Sequence, residues 1–329
     1  MTASSLIALA IGDPNGIGPE IAVKACLALG VGDPRAVLVG DAHVVRHYAA
    51  GSTLRLVNPC NLPPRQPDVV DLIDAAGLAP DAFQPGACGA ASGAATVAYV
   101  DAALKVGRAG AFSAVVACPH NETAINAAGI AFSGYPGLVA RLSGLPESAV
   151  FLMLIGGGLR IVHVTLHERL AGALARIDAP LVEAAALAAD ATLRRLGVER
   201  PRIGIFGINP HAGEDGLFGD DDQRVTFPAA AALRARGLRI EGPRGADLLL
   251  SERGCDAYVA MYHDQGHIPI KLMAGRDSSA LAIGTGLAFA SVGHGSAPDI
   301  AGRGLADPAP LLSTLRLIVS TTPAGALAA

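Results

Sequence analysis

Tryptophan is absent and aromatic residues make up only 4% of the 329-residue chain, so the core has few large rings to organise around. It must be built from Ala, Val, Leu and Ile, which is ample material: hydrophobic residues are 51% of the sequence and mean hydropathy is +0.42. Long apolar runs are also missing. Val150 to Ile155, for example, meets Gly156, Gly157, Gly158 and Arg160 well before the roughly eighteen residues a membrane span requires. There is no run of Lys or Arg, and 25 basic against 29 acidic residues leave a net charge of -4, which argues against a nucleic-acid or anionic-membrane surface. The five cysteines (Cys26, Cys60, Cys88, Cys118 and Cys255) are odd in number and contain no C-x-x-C pair, so they read as reduced, buried hydrophobes. The first residues carry no basic segment. A soluble, cytoplasmic protein is expected.

What is present is an alternation of short apolar strands with helical patterns, the mark of a layered α/β fold. Leu6 to Ile11 is a strand candidate running into Gly12-Asp13-Pro14-Asn15-Gly16-Ile17-Gly18-Pro19-Glu20, with a helix from Ile21 to Leu29. Ala36 to Gly40, Ala114 to Ala117, Arg202 to Gly207 and Tyr258 to Met261 are further strands, and each of the last three ends abruptly in polar residues. Val150 to Leu154 and Arg160 to Leu166 read as an antiparallel pair joined at the glycine run, along which His163, Thr165 and His167 would share one face. Helices are expected over Ser92 to Val106, Gly134 to Leu142, Ala179 to Leu196, Phe227 to Arg236 and Ala246 to Glu252. His43 and His47 are spaced i, i+4 but have no third ligand near them in sequence and read as surface residues, and residues 57 to 91 carry no clear pattern.

Polar groups at the carboxyl ends of strands are where open α/β sheets bind ligands. The densest such stretch is Tyr262-His263-Asp264-Gln265-Gly266-His267, with Lys271 beyond it. His167, His211 and His263 each follow a strand-like run, and three neutral imidazoles on one divalent cation describe a catalytic zinc-type site. Residue types alone leave that site open, because such ligands lie far apart in sequence. Asn121 or Thr123, after Ala114 to Ala117, reads equally as a helix cap or as part of a site. Near the end, His294-Gly295-Ser296-Ala297-Pro298-Asp299-Ile300 continues through small residues to Asp307 and offers a ligand close approach to backbone N–H groups. No G-x-G-x-x-G follows a first strand, so a dinucleotide would not be held in the Rossmann manner.

Four motifs in order, Gly12 to Glu20, Asn209-Pro210-His211-Ala212-Gly213-Glu214, Tyr262 to Gly266 and His294 to Gly302, resemble the 4-hydroxythreonine-4-phosphate dehydrogenase family over nearly the whole chain. The resemblance implies an isopropylmalate dehydrogenase-like fold of two layered α/β domains with the active site in the cleft between them. It implies an NAD-binding domain of residues 1–126 plus 276–329 and a metal-binding, dimerising domain of residues 127–275. It also implies a homodimer, NAD, and a divalent metal, zinc being the favoured ion, bound by His167, His211 and His263 drawn from both subunits. NAD would lie against His294, Gly295, Ser296, Ala297, Asp299, Ile300 and Asp307.

Departures from the family pattern are informative. Lys271 is kept, but the family's phosphate-holding His-Thr pair is Tyr135-Pro136 here, its Asn is Ala280 and its Arg is Phe289. Losing that Arg removes a bidentate oxyanion donor, while Tyr135 and Phe289 suit a flat ring. Within the family, Ala117 to Ile125 with Gly134-Tyr135-Pro136 and Leu159 to His167 looks like the terephthalate dihydrodiol dehydrogenases, which oxidise a cyclic diol dicarboxylate to protocatechuate with loss of carbon dioxide. Asp264 and Asp247 are then candidates to orient a ligand or accept a proton, Lys271 to pair with a substrate carboxylate, and His120 to contact the ring. The alternatives are action on phosphorylated hydroxythreonine, a zinc hydrolase using the same histidines, and a metal-dependent binding protein without turnover.

Overall fold

In this computed structural model the described residues are 6–109, 112–132, 134–274, 278–292 and 295–319. Two compact units emerge: residues up to Gly144 with Phe289–Val319, and Leu145–Ala288. The boundaries expected from the sequence were 126/127 and 275/276. Contacts put the helix Tyr135–Leu142 in the first unit because the Tyr135 ring packs on His120 and Phe289. They put the strand Ser279–Ile283 in the second because it pairs antiparallel with Phe151–Gly156.

The first unit opens with β1 (Leu6–Ala10), α1 (Gly18–Ala28), β2 (Arg35–Gly40), α2 (Ala42–Tyr48), β3 (Thr53–Leu56), β4 (Val69–Asp74), α3 (Ala90–Arg108), β5 (Ala114–Ala117), α4 (Glu122–Ala127) and α5 (Tyr135–Leu142). Its strands run in the order β3-β4-β2-β1-β5, all parallel. A strand covered on both faces needs a continuous apolar run rather than alternation, which is what β1 and β5 provide. β3 and β4 fall in or beside the stretch without clear pattern: β3 alternates weakly, and the sheet rather than local preference makes it a strand. Asn121 settles as a cap, its side chain accepting the Ala124 N–H at 3.1 Å.

The second unit contains β6 (Phe151–Gly156), β7 (Leu159–His163), α6 (Leu170–Arg176), α7 (Ala179–Arg195), β8 (Arg202–Phe206), α8 (Asp221–Arg224), α9 (Thr226–Ala235), β9 (Arg239–Arg244), α10 (Ala246–Glu252), β10 (Ala257–Ala260), α11 (His263–Ala274) and β11 (Ser279–Ile283). Strand order is β11-β6-β7-β10-β8-β9; β6 is antiparallel to both neighbours, and the pairs from β7 to β9 are parallel. Phe206, Tyr258, Ile161, Leu249 and Ile270 form a buried cluster here.

Two expectations are corrected. β7 ends at His163, so His167 does not share a strand face with it; Thr165 instead turns its hydroxyl to the Met261 carbonyl at 2.8 Å. The polar stretch from His263 is not a loop but the first turns of α11, which runs through Pro269. Proline disfavours a helix interior, and α11 keeps Pro269 with the next residue, Ile270, fully buried in the apolar cluster.

Returning to the first unit, β12 (Ala288–Ser291) lies beside β5, and α12 (Ala309–Val319) packs on α1. No helix among the described residues is long and apolar enough to cross a membrane.

Candidate functional site

β7 and β10 are parallel neighbours, so the chain leaves both at the same edge of the sheet. His167 follows β7 and His263 opens α11 after β10; their rings lie 5.2 Å apart, centroid to centroid. A cavity of about 560 Å3 sits there, lined by His167 and His263 together with Glu168, Arg169, Tyr262 and Asp264. His263 is one-third exposed, and its Nδ1–H donates to Asp264 Oδ1 at 2.7 Å, which leaves the Nε2 lone pair open. A carboxylate behind an imidazole is the pairing metal-binding histidines use, so His167 and His263 offer two imidazoles of the kind a divalent cation takes and leave its remaining positions to other ligands.

His211 lies elsewhere in the same unit. It is 72% exposed and its Nδ1 faces Glu214 Oε2 at 3.0 Å. Residues 211 to 215 all have left-handed backbone, with φ of 54°, 55°, 84°, 41° and 52°, although four of the five are not glycine. Such residues cost about 1–2 kcal/mol each, so the surroundings must hold them. Asp222 does so from full burial: its carboxylate accepts the Ile208 and Asn209 N–H groups at 2.8 and 3.0 Å and the Thr226 hydroxyl at 2.6 Å. Gln265 adds a brace, accepting the Met261 N–H at 2.7 Å and donating to the Gly207 carbonyl at 2.8 Å. Among the described residues, no group of three or more His, Cys, Asp or Glu side chains converges closely enough to hold a metal ion.

Sequence reasoning passed over two more histidines here. His163, at the end of β7, is buried, and His267 is the next residue on the His263 face of α11. His267 stacks on His263 with centroids 3.7 Å apart and rings within 12° of parallel. Burial, then the neighbouring His267, pushes the His163 imidazole down to about 3; burial, then His263, pushes His267 down to about 4. The i, i+4 spacing of His263 and His267 was the available signal.

The remaining expected site residues are spread over both units. In the second, Lys271 on α11 is exposed and donates to Ser278 Oγ at 3.0 Å, Asp247 is exposed in the first turn of α10, and Ala280 on β11 packs against the apolar cluster. In the first, His120 and Tyr135 have ring centroids 4.7 Å apart, and Tyr135 and Phe289 4.9 Å. Tyr135 and Phe289 are both buried, with Pro136 half-buried beside them, and burial lowers the His120 pKa. The Tyr135 hydroxyl is buried with no hydrogen-bond partner among the described residues.

His294 lies outside the described residues. Beyond it, Gly295, Asp299 and Asp307 are exposed, Ser296 is buried, Ala297 has φ 40° and Ile300 is half-buried. This loop is anchored from behind by the Gly12 to Glu20 motif. The Ile17 N–H donates to Ser296 O at 2.9 Å, Glu20 Oε1 accepts the Ala306 N–H at 2.9 Å, and Lys24 donates to the Gly304 and Ala306 carbonyls at 2.9 and 2.8 Å. Position 16 has to be glycine, since a Cβ there would lie 2.7 Å from Ser296 Cβ. The loop so held exposes Gly295, Gly302 and Gly304, whose lack of a side chain leaves the backbone open to close approach.

Residues 33–318 match the family of the Pyridoxal phosphate biosynthetic protein PdxA, and the chain belongs to that family. It is 48% identical over 313 residues to the 1,2-dihydroxy-3,5-cyclohexadiene-1,4-dicarboxylate dehydrogenase of a Comamonas species, covering 95% of this chain and 96% of that one. To the D-threonate 4-phosphate dehydrogenase of Cupriavidus necator it is 38% identical over 329 residues, covering 94% and 95%. A crystal structure of a terephthalate 1,2-cis-dihydrodiol dehydrogenase from Burkholderia xenovorans LB400 superposes with a TM-score of 0.87 at 56% identity, covering 98% of this chain and 99% of that one. These relatives are dehydrogenases, which supports an oxidoreductase.

Proposed function

We propose that the protein is an NAD-dependent, metal-assisted dehydrogenase that oxidises 1,2-dihydroxy-cyclohexa-3,5-diene-1,4-dicarboxylate to protocatechuate and carbon dioxide. One observation carries the choice of substrate. Where the family resemblance puts phosphate-holding side chains, this chain has Tyr135, Pro136, Ala280 and Phe289, and Phe289 is buried against Tyr135 rather than offering a charge. A phosphate would have to leave water without the bidentate donor that compensates it, whereas an aromatic-like ring loses little. The likeness to dihydrodiol dehydrogenases over nearly the full chain points the same way.

The reaction follows from the substrate's own bonds. C1 bears a hydroxyl and a carboxylate, and C2 bears a hydroxyl and the hydrogen that leaves as hydride to NAD+. The ketone so formed is β to the C1 carboxylate, whose loss as carbon dioxide and subsequent enolisation complete the aromatic ring. One NADH and one carbon dioxide are released per diol. A divalent cation, zinc being the favoured ion, held by His167, His211 and His263 would supply Lewis-acid stabilisation of negative charge on the diol oxygens. Asp264, already bonded to His263, keeps that imidazole oriented, and Asp264 or Asp247 takes the hydroxyl proton. Lys271 pairs with a substrate carboxylate, His120 meets the ring, and the loop from His294 to Asp307 binds NAD.

The protein acts as a homodimer, with His211 reaching the partner's cation. Support for this comes from the second unit, where Ile268, Leu272 and Met273 are exposed apolar side chains on α11 with His263, and Leu170, Leu217 and Phe218 are exposed within a few residues of His167 or His211. The test is purified protein with the cis-diol, NAD+ and zinc, followed for NADH and carbon dioxide together. Equal yields of both are expected. NADH from phosphorylated hydroxythreonine and none from the diol would overturn the reading.

A further inference from the structure

His163 and His267 have no part in the reaction as drawn, yet they are joined in a way that dictates where their protons sit. The Leu152 carbonyl can only accept, and His163 Nδ1 lies 3.2 Å from it, so His163 carries its proton on Nδ1. Its Nε2 is therefore a lone pair, and His267 Nδ1, 3.0 Å away, must be the donor to it. The same Nδ1–H faces the His263 carbonyl at 3.3 Å, another group that only accepts. Both contacts select one His267 tautomer, and the ring they fix is the one stacked on His263 at 3.7 Å. Room for this arrangement is built in: a Cβ at Gly266 would come within 2.3 Å of His163 Nε2.

We propose that His163 and His267 are positioning residues: the chain from the Leu152 carbonyl through His163 to His267 locks the ring against which His263 rests, and so holds His263 ready for a cation. The inference rests on the cation reading given under Proposed function. It assigns His267 no bond to the cation. A flexible imidazole at the start of a helix must lose rotamer freedom when it binds, and the stacked partner removes that loss in advance. Outer partners of metal ligands typically change affinity by about 10–100-fold.

The full-length protein, freed of metal, is titrated calorimetrically with zinc ions alone, and the His267 tautomer is read from the two ring 15N shifts. His163→Leu, similar in volume, is expected to weaken zinc binding by roughly tenfold or more and to scramble the His267 tautomer. His163→Gln, whose side-chain oxygen can accept the His267 N–H, should recover most of the affinity. His267→Phe, at a half-exposed site, should keep a stacked ring but lose the lock and weaken zinc as His163→Leu does. A purely structural role would lower the melting temperature while leaving zinc affinity unchanged, and that result in the three variants overturns the proposal. Should the parent protein itself take up no zinc, the cation reading falls and the positioning role with it; tight binding by parent and variants alike sinks only the latter.

Discussion

At position 163 a neutral imidazole is sealed beneath the start of α11, and the consequence is a pH dependence of stability with a definite sign. Burial, seconded by His267, holds the folded pKa near 3, against 6.5 for an ordinary histidine. Between those values the unfolded chain binds a proton that the folded chain refuses. The contribution of His163 is thus complete above about pH 6.5 and is lost progressively as the pH falls toward 3. Melting temperatures measured from pH 7 to pH 4 should fall less steeply for His163→Leu than for the parent. Equal slopes would mean the imidazole is not the group being protonated. On the proposed reading Phe289 decides the substrate by itself: its apolar ring, buried on Tyr135, stands where the family resemblance expects an Arg to meet a phosphate.

At the scale of elements, α1 serves the loop that follows β12. Gly16 and Ile17, just before it, and Glu20 and Lys24 on it each touch residues between 296 and 306. A methyl group at position 16 would press on Ser296 from 2.7 Å, with the carbonyl of that residue 2.8 Å away, and neither is the far end of a flexible side chain. Gly16→Ala should therefore shift the loop at a cost of about 1–3 kcal/mol. If that loop binds NAD, the affinity measured by NADH fluorescence falls roughly 5- to 150-fold while zinc uptake is unaffected. Unaltered NADH binding would separate the loop from the cofactor. The left-handed segment from His211 to Asp215 is the counterpart in the second unit, where strain is held in place by the buried Asp222 carboxylate.

For the molecule as a whole, the proposed cation raises the question of where its third imidazole comes from. His167 and His263 are ring neighbours, while His211 stands exposed on its own loop. In a two-fold dimer with shared sites, chains carrying His211→Ala and chains carrying His263→Ala are each inactive alone. A mixed dimer has one intact site and one doubly defective site. Equal mixing with subunit exchange should restore about a quarter of the parent activity by random pairing. No recovery, with exchange verified by mass, would place all the ligands of each site in a single chain.

Apolar runs flanked by glycine and proline were enough to read β1, β2, β5, β8 and β10 and the helices α1, α3, α7, α9 and α10, because burial on both faces leaves a local mark on composition. The same holds for the turn after β6, where Gly157 and Gly158 take φ of 57° and 75°. β3, β9, β11 and β12 were not legible: short strands owe their conformation to neighbours distant in sequence, and α11 keeps Pro269 inside a helix, where proline is disfavoured. His167, His211 and His263 could be picked out as residue types at strand ends. Only the tertiary structure brought His167 to His263, set His163 under His267 and put Asp222 behind the His211 loop, because hydrogen bonds and ring stacking between remote segments leave no periodicity in a chain to be read.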